Sequence, residues 1–439
     1  MNKPISSSKP LAVPAGRLNR FARLGSMTAG IAGNVAVQAL GEVSRGARPN
    51  LRSLLITPSN INRVADQLAR MRGAAMKVGQ LISMDTGDVL PPELSDIMAR
   101  LRDQAHFMPP KQLRKVLDRN WGTGWLKDFK RFDVRPIAAA SIGQVHHAQL
   151  KDGRDVAIKV QYPGIARSID SDVTNVGALA KISGLVPEGL DLAPYMAEAR
   201  KQLHEETDYE REGAHLRHFA SLLEGAEAFS VPEYYEDWST TEVLTMTYLA
   251  GQPIETATEA TQDERNRIMA ELVSLMLREL FEFGVTQSDP NFANYRYDTT
   301  SGKIILLDFG ATRVLDPQLV EEYRLLFLAG LDGDIEAMRA AAHGMGLIEG
   351  DGAFDDRIVA MIRTVFEATL SDPQFNFADP RLSREMNQQG LVLAEAGYVP
   401  PTLPMDVLYL QRKLGGMFLL ASRLGAVLPV REILAKHVR

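Results

Sequence analysis

The chain has 439 residues and no cysteine. Disulfides, thiolate catalysis and cysteine-ligated metals are thereby excluded, and a reducing compartment is compatible with that absence. A basic excess is missing too. The formal net charge is −6, which argues mildly against nucleic acid as the main partner. Acid is missing locally: the first acidic residue is Glu42, and before it stand Lys3, Lys9, Arg17, Arg20 and Arg23. Long apolar runs are also lacking. The uncharged stretch Leu24 to Leu40, LGSMTAGIAGNVAVQAL, is short and rich in Gly and Ala for a spanning helix, which needs about 20 apolar residues. Yet Gly25, Ala29 and Gly33 fall four apart, the small-residue spacing of close-packed membrane helices. That spacing would also allow a homodimer. A basic arm before such a run fits an inside-facing anchor, a transit peptide, or a flexible tail with a soluble helix. Residues 1–50 are thus read as a basic arm with a candidate membrane-associating segment.

What remains has an ordinary globular balance, with 45% hydrophobic and 24% charged residues, and is long enough for two or three lobes. Residues 51–128 read as helical, with Val64, Leu68, Met71 and Ala75 at helical spacing. From Phe129 the character changes. FDVRPIAAASIGQVHHAQLKDGRDVAIKVQYPG has β-branched runs about the turn Lys151 to Arg154, and reads as a small antiparallel sheet. Helical patterns return from Val173 to Leu223, and VLTMTYL (Val243 to Leu249) reads as a strand. Beyond Glu264 the chain reads as mostly helical, with short strands near Tyr295 and Ile304. The expected class is α+β: a bilobal kinase-like arrangement. Its small-sheet lobe spans 129–248 and its helical lobe 249–439, behind a helical extension. Its active site is expected between the lobes.

Five stretches carry the chemistry. VAIK ends at Lys159 on the strand after the KDGR turn, where phosphoryl transfer needs a cation held rigidly and oriented by a Glu. Ahead of it, Ala138, Ala139, Ala140 and Ser141 stand where a protein kinase has a glycine-rich loop. Their methyl groups let the backbone approach a phosphate less freely. HEETDYERE offers the orienting carboxylate. If it is helical, Asp208 and Glu212 share a face while Glu206 points elsewhere. In QSDPNFANY, Asp289 and Asn294 lie five apart, and Asp308 opens DFG after an apolar strand. An Asp that positions a nucleophile, an Asn and a second Asp that bind Mg²⁺ are the parts of a kinase catalytic loop.

Together with MKVGQLISM around Lys77 and Gln80, these residues resemble the UbiB-type, or aarF-domain, atypical kinases. QSDPNFANY is similar to the coenzyme Q biosynthesis branch. The resemblance spans roughly Ala65 to the C-terminal end and implies a protein-kinase-like fold with an N-terminal KxGQ extension. It places Lys77 and Gln80 where a protein kinase takes its substrate, with Glu206 and Asp208 as partners. It assigns Lys159 to the phosphates, Glu212 to Lys159, Asp289 to the catalytic position, and Asn294 and Asp308 to Mg²⁺. By analogy Met246 and Tyr248 of the hinge meet the adenine. No Ala-Pro-Glu follows Asp308 and Gln287-Ser288 replaces His-Arg, so a protein substrate is not expected. The implied activity is a Mg²⁺-dependent ATPase in ubiquinone or isoprenoid-lipid metabolism. Its expected partners are ATP, a lipid or isoprenoid-quinone precursor, a membrane surface and quinone-biosynthesis enzymes. Two alternatives stay open: a small-molecule kinase acting on a prenylated or phenolic metabolite, and an ATP-gated scaffold. The expected location is the cytoplasmic face of a bacterial inner membrane or the mitochondrial matrix side.

Overall fold

The computed structural model describes residues 71–86, 107–140, 142–183, 191–350, 352–398 and 400–439, with Ala65, Asp66 and Leu68. The segment 24–40 and Ser141 lie outside the described residues, so neither expectation is addressed by the structure. In chain order the elements begin α1 (Arg72–Thr86), α2 (Pro110–Trp121), β1 (Phe129–Phe132), β2 (Ala138–Ala139), β3 (Gly143–Leu150) and β4 (Asp155–Gln161). Next come α3 (Ile165–Ser183), α4 (Ala193–Glu206), α5 (Tyr209–Leu222), β5 (Phe229–Ser230), β6 (Val243–Thr247) and β7 (Gln252–Pro253). Then follow α6 (Gln262–Arg278), β8 (Val285–Gln287), β9 (Tyr295–Asp298), β10 (Lys303–Leu306), β11 (Thr312–Val314), α7 (Pro317–Asp332) and α8 (Ile335–Gly344). The chain closes with α9 (Ala353–Leu370), β12 (Phe375–Asn376), α10 (Arg381–Glu395), α11 (Met405–Leu424), β13 (Val427–Leu428) and α12 (Val430–Val438).

Two compact units result. The first holds the described residues up to Ala214 together with Glu233–Tyr248. Its antiparallel sheet runs β1-β3-β4-β6, with β2 also on β3. Gly153, at φ 100°, supplies the left-handed backbone of the KDGR turn between β3 and β4. Side chains alternate along β4. Val156, Ile158 and Val160 enter a cluster built with Trp121, Trp125, Phe129 and Trp238, the last joined edge-on to Trp121 at 5.2 Å between ring centroids. That leaves Ala157, Lys159 and Gln161 on the other face.

His146 is fully buried on β3. Its Nδ1–H donates to the Asp133 carbonyl at 2.8 Å, so Nε2 accepts from the Gln144 amide at 2.8 Å. The Gln144 Oε1 accepts from the Met108 backbone at 2.7 Å. Burial pushes the His146 pKa down to about 4. An unfolded histidine titrates near 6.5, so between those values the unfolded chain binds the proton and the folded one does not. The fold is therefore fully stable with respect to this group above pH 6.5 and loses stability as pH falls toward 4. The total loss is on the order of 3 kcal/mol. Urea midpoints measured from pH 7.5 to 4.5 are expected to fall more steeply for the wild type than for His146→Gln. Parallel curves would refute the assignment.

The second unit comprises His215–Pro232 and Leu249–Arg439. Its core gathers Leu277, Leu280, Tyr323, Phe327, Val407 and Leu410 from α6, α7 and α11. Three short sheets belong to the same unit: β5-β10-β9-β7, in which β5 and β10 are parallel, and the antiparallel pairs β8-β11 and β12-β13. β8 and β11 are three residues each, too short for their alternation to register in the sequence. The apolar C-terminal stretch Leu410 to Leu428 contributes mostly to the core, although Leu419 is exposed. Along α11 Val407, Leu408, Leu410, Met417, Leu420 and Leu424 are all buried. Among the described residues no helix is long and apolar enough to cross a membrane.

Candidate active site

In the first unit Lys159 and Glu212 form a buried pair, with Nζ 2.8 Å from Oε1 and 2.9 Å from Oε2. The ammonium also lies 5.2 Å from the centre of the Tyr209 ring. The acidic stretch is not one helix, which corrects the shared face expected for Asp208 and Glu212. α4 ends at Glu206, and Asp208 caps α5: its Oδ1 accepts from the Glu210 and Arg211 amides, both at 3.1 Å. Local polar groups cause the break. The Thr207 hydroxyl donates to the His204 carbonyl at 2.8 Å, and the Gln161 amide donates to the Thr207 carbonyl at 2.7 Å. Gln161 stands two residues beyond Lys159, so one strand face both carries the lysine and pins the break that aims Glu212 at it.

The alanine loop is a hairpin. Ala138 and Ala139 pair with Val145 and Gln144, and the Ala140 amide donates to the Gly143 carbonyl at 2.8 Å. A Cβ at Gly143 would meet the Val160 carbonyl oxygen at 2.5 Å and the Tyr209 hydroxyl at 2.8 Å. Only glycine fits where the loop root crosses β4. Tyr209 thus links the loop root to Lys159, a role its bulk and position three residues before Glu212 only hint at.

Lys77, on α1, forms an ion pair with Glu206, the last residue of α4. Gln80 lies one turn further along α1, half-buried. Asp208 does not join this pair in the way expected, because its carboxylate caps α5. At the hinge, Met246 is buried opposite Ala157. The Tyr248 amide donates to the Asp155 carbonyl at 2.9 Å, and its ring lies tilted by 32° against His147 with centroids 4.0 Å apart.

In the second unit, strand register assembles the rest. Gln287 pairs with Thr312, and the Ser288 hydroxyl donates to the Ala311 carbonyl at 2.8 Å, which sets Asp289 beside the residues after DFG. Leu306 pairs with Tyr295, and the Leu307 amide donates to the Asn294 carbonyl at 3.0 Å, so Asn294 and Asp308 flank one strand end. Asn294 Nδ2 donates to the Asp289 carbonyl at 3.2 Å, which leaves its Oδ1 as an acceptor. Asp308 Oδ1 accepts from Gly310 N at 2.9 Å. One amide oxygen and one carboxylate are hard donors of the number Mg²⁺ takes from a protein when phosphates and water complete its shell. Among the described residues no group of three or more His, Asp or Glu side chains is placed to hold a metal ion.

Sequence reasoning missed the groups beneath this loop. Lys413 is buried and forms an ion pair with Glu279; its Nζ also donates to the Thr286 hydroxyl at 3.1 Å and the Gln287 carbonyl at 2.9 Å. Burial pushes the Lys413 pKa below its usual value against the raising effect of Glu279. Both atoms of the buried Gln287 side-chain amide have no protein hydrogen bond among the described residues.

A family model described as the ABC1 atypical kinase-like domain matches residues 100–342. The chain is 38% identical over 423 residues to the mitochondrial atypical kinase COQ8 of Saccharomyces cerevisiae, covering 95% of this chain and 84% of that protein. The chain belongs to the UbiB/ABC1 family of atypical kinases. Within that family it falls in the coenzyme Q branch. It is also 37% identical over 436 residues to mitochondrial COQ8B of Rattus norvegicus, covering 97% and 81% of the two chains. The solved Rv3197–erythromycin complex from Mycobacterium tuberculosis shares the fold at TM-score 0.61 and 24% identity, over 83% of this chain and 92% of that one. The fold of this UbiB member is therefore α+β and protein-kinase-like. It is an ATP-dependent, kinase-like enzyme, and such a fold implies ATP and Mg²⁺ in general.

Proposed function

We propose that the chain hydrolyses Mg²⁺-ATP at a membrane surface and thereby supports ubiquinone biosynthesis. The observation that carries this reading is the Lys77–Glu206 pair beside a formed Lys159–Glu212 pair. The helix bearing KxGQ is bound to the acidic segment that orients the phosphate-binding lysine. Lys159 holds the α- and β-phosphates, Glu212 orients it, and the loop Ala138 to Ser141 covers the phosphates. Met246 and Tyr248 border the adenine. Asp289 positions the attacking oxygen, and Asn294 and Asp308 would hold Mg²⁺. When bound, the metal neutralises charge on the phosphates. Lys77 and Gln80 act where a protein kinase would take its substrate.

A lipid or isoprenoid-quinone precursor is the proposed effector, with other quinone-biosynthesis enzymes as partners. A homodimer through the segment near Gly25 belongs to the same proposal. The COQ8 and COQ8B relatives are mitochondrial by name. The proposed location is accordingly the matrix side of the inner membrane, or the cytoplasmic face of the equivalent bacterial membrane.

The test is ATP turnover by the purified full chain, with and without anionic liposomes and a soluble phenol. Turnover should rise several-fold with both additions. Tight nucleotide binding with no turnover under any condition would overturn the reading in favour of a gated scaffold. A phosphorylated metabolite in a lipid extract treated with enzyme and ATP would replace it with a kinase reading.

A further inference from the structure

We propose that α11 is the positioning element of the loop that carries Asp289, and that Arg412 holds that carboxylate in its working orientation. The proposal rests on the reading of Asp289 as the catalytic position.

Four residues of α11, Asp406, Tyr409, Lys413 and Gly416, recur at helical spacing and so lie on one stripe. Each meets the loop region. Asp406 Oδ1 accepts from Arg313 Nε of β11 at 3.1 Å, and the Arg313 guanidinium lies 4.2 Å from the Tyr409 ring centre. One or two turns further, Lys413 reaches the Gln287 carbonyl at 2.9 Å and Glu279 beneath it. At Gly416 a Cβ would lie 2.5 Å from the Pro290 side chain, so the helix approaches the loop there as closely as glycine permits. Arg412 borders the stripe, and its Nη2 stands 3.4 Å from Asp289 Oδ1. The helix therefore holds the chain on both sides of Asp289, at the Gln287 carbonyl and the Pro290 ring, and contacts the carboxylate between them.

The consequence is geometric. A carboxylate on a loop has rotamers of similar energy, and reaction needs one of them. A guanidinium on a rigid, buried helix selects one. Misplacement of a reacting group by ~1 Å costs about 100-fold in rate. Arg412 is thus a positioning residue, acting on turnover through Asp289. The expected effect is on turnover more than on nucleotide affinity, because the carboxylate it orients is the proposed catalytic group and Lys159, Asn294 and Asp308 are unchanged in its variants.

The experiment compares Arg412→Gln, Arg412→Ala, Arg412→Lys and Asp289→Asn in the full chain. Readouts are kcat, KM, ATP affinity from a fluorescent analogue, and thermal melts. For Arg412→Gln we expect kcat down about 10- to 100-fold with ATP affinity within about twofold. Arg412→Lys should recover part of the rate, and guanidinium ion at millimolar concentration should raise the rate of Arg412→Ala. Wild-type turnover in Arg412→Gln while Asp289→Asn is dead would overturn this inference and leave the reading of Asp289 standing. Wild-type turnover in both would sink that reading and the inference with it. Loss of a cooperative melt in both Arg412→Gln and Arg412→Ala, or no rescue by guanidinium, would make Arg412 a folding residue only and equally overturn it.

Discussion

Asp289→Asn is expected to lower ATP turnover by about 10²–10⁴-fold, the usual worth of a positioned acid–base group, while leaving nucleotide binding almost unchanged. The substitution keeps the shape and one acceptor oxygen, and turns the other oxygen into a donor. The contact from Asn294 survives, since it goes to the Asp289 backbone carbonyl at 3.2 Å. β8 and β11 stay paired through Gln287 and Thr312. What disappears is the negative charge facing the attacking oxygen and the ion pair with Arg412 at 3.4 Å. An amide carries no charge with which to orient a nucleophile or take its proton. Lys159, Asn294 and Asp308 are untouched, so ATP affinity should move by no more than a few-fold. Steady-state turnover and a nucleotide-binding titration, run side by side on wild type and variant, check both halves. Unchanged turnover would remove Asp289 from the mechanism, and a collapse of affinity would mean that it holds the nucleotide instead.

The parts of this site legible in the sequence are those framed by local pattern. VAIK sits on a strand because four apolar or β-branched neighbours and a KDGR turn leave little choice, and alternation then puts Lys159 on the face away from the aromatic cluster. ILLDFG reads as strand then loop for the same reason. Two features escaped because their causes are not periodic. The break at Thr207 depends on Gln161, 46 residues earlier, reaching the Thr207 carbonyl. Without that contact, HEETDYERE is as good a helix as any charged stretch. The service of α11 to the catalytic loop escaped because Arg412 and Asp289 are 123 residues apart. A lysine and an arginine inside an apolar C-terminal helix look like ordinary interruptions until the partner carboxylates are seen. Lys413 gave the one available signal, a charge at a position the surrounding apolar spacing assigns to the interior.

That lysine carries the largest stability effect we expect. Lys413→Met should cost about 3–5 kcal/mol, the price of leaving one member of a buried pair behind. Glu279 is 3% exposed and Lys413 2%, so water cannot replace the lost partner. The orphaned carboxylate would keep two donors, the Thr286 hydroxyl at 2.7 Å and the Gln287 amide at 3.1 Å, but no compensating charge. For a unit of this size the melting temperature should fall by about 10 °C. Removing the charge as well should restore much of the loss. In Glu279→Gln/Lys413→Met the neutral amide oxygen can accept from the same two donors, and methionine fills most of the lysine volume. The double variant is expected to melt closer to wild type than Lys413→Met does, a coupling of about 1–3 kcal/mol. Thermal melts of the four proteins in the cycle decide it. Additive losses would mean that Lys413 acts by packing alone. A Lys413→Met variant as stable as wild type would mean that the pair braces nothing. The outcome also bears on turnover, because the same ammonium holds the Gln287 carbonyl, two residues before Asp289. If the double variant regains stability but not its rate, the charge is retained for the geometry of the loop, and stability is incidental to its presence.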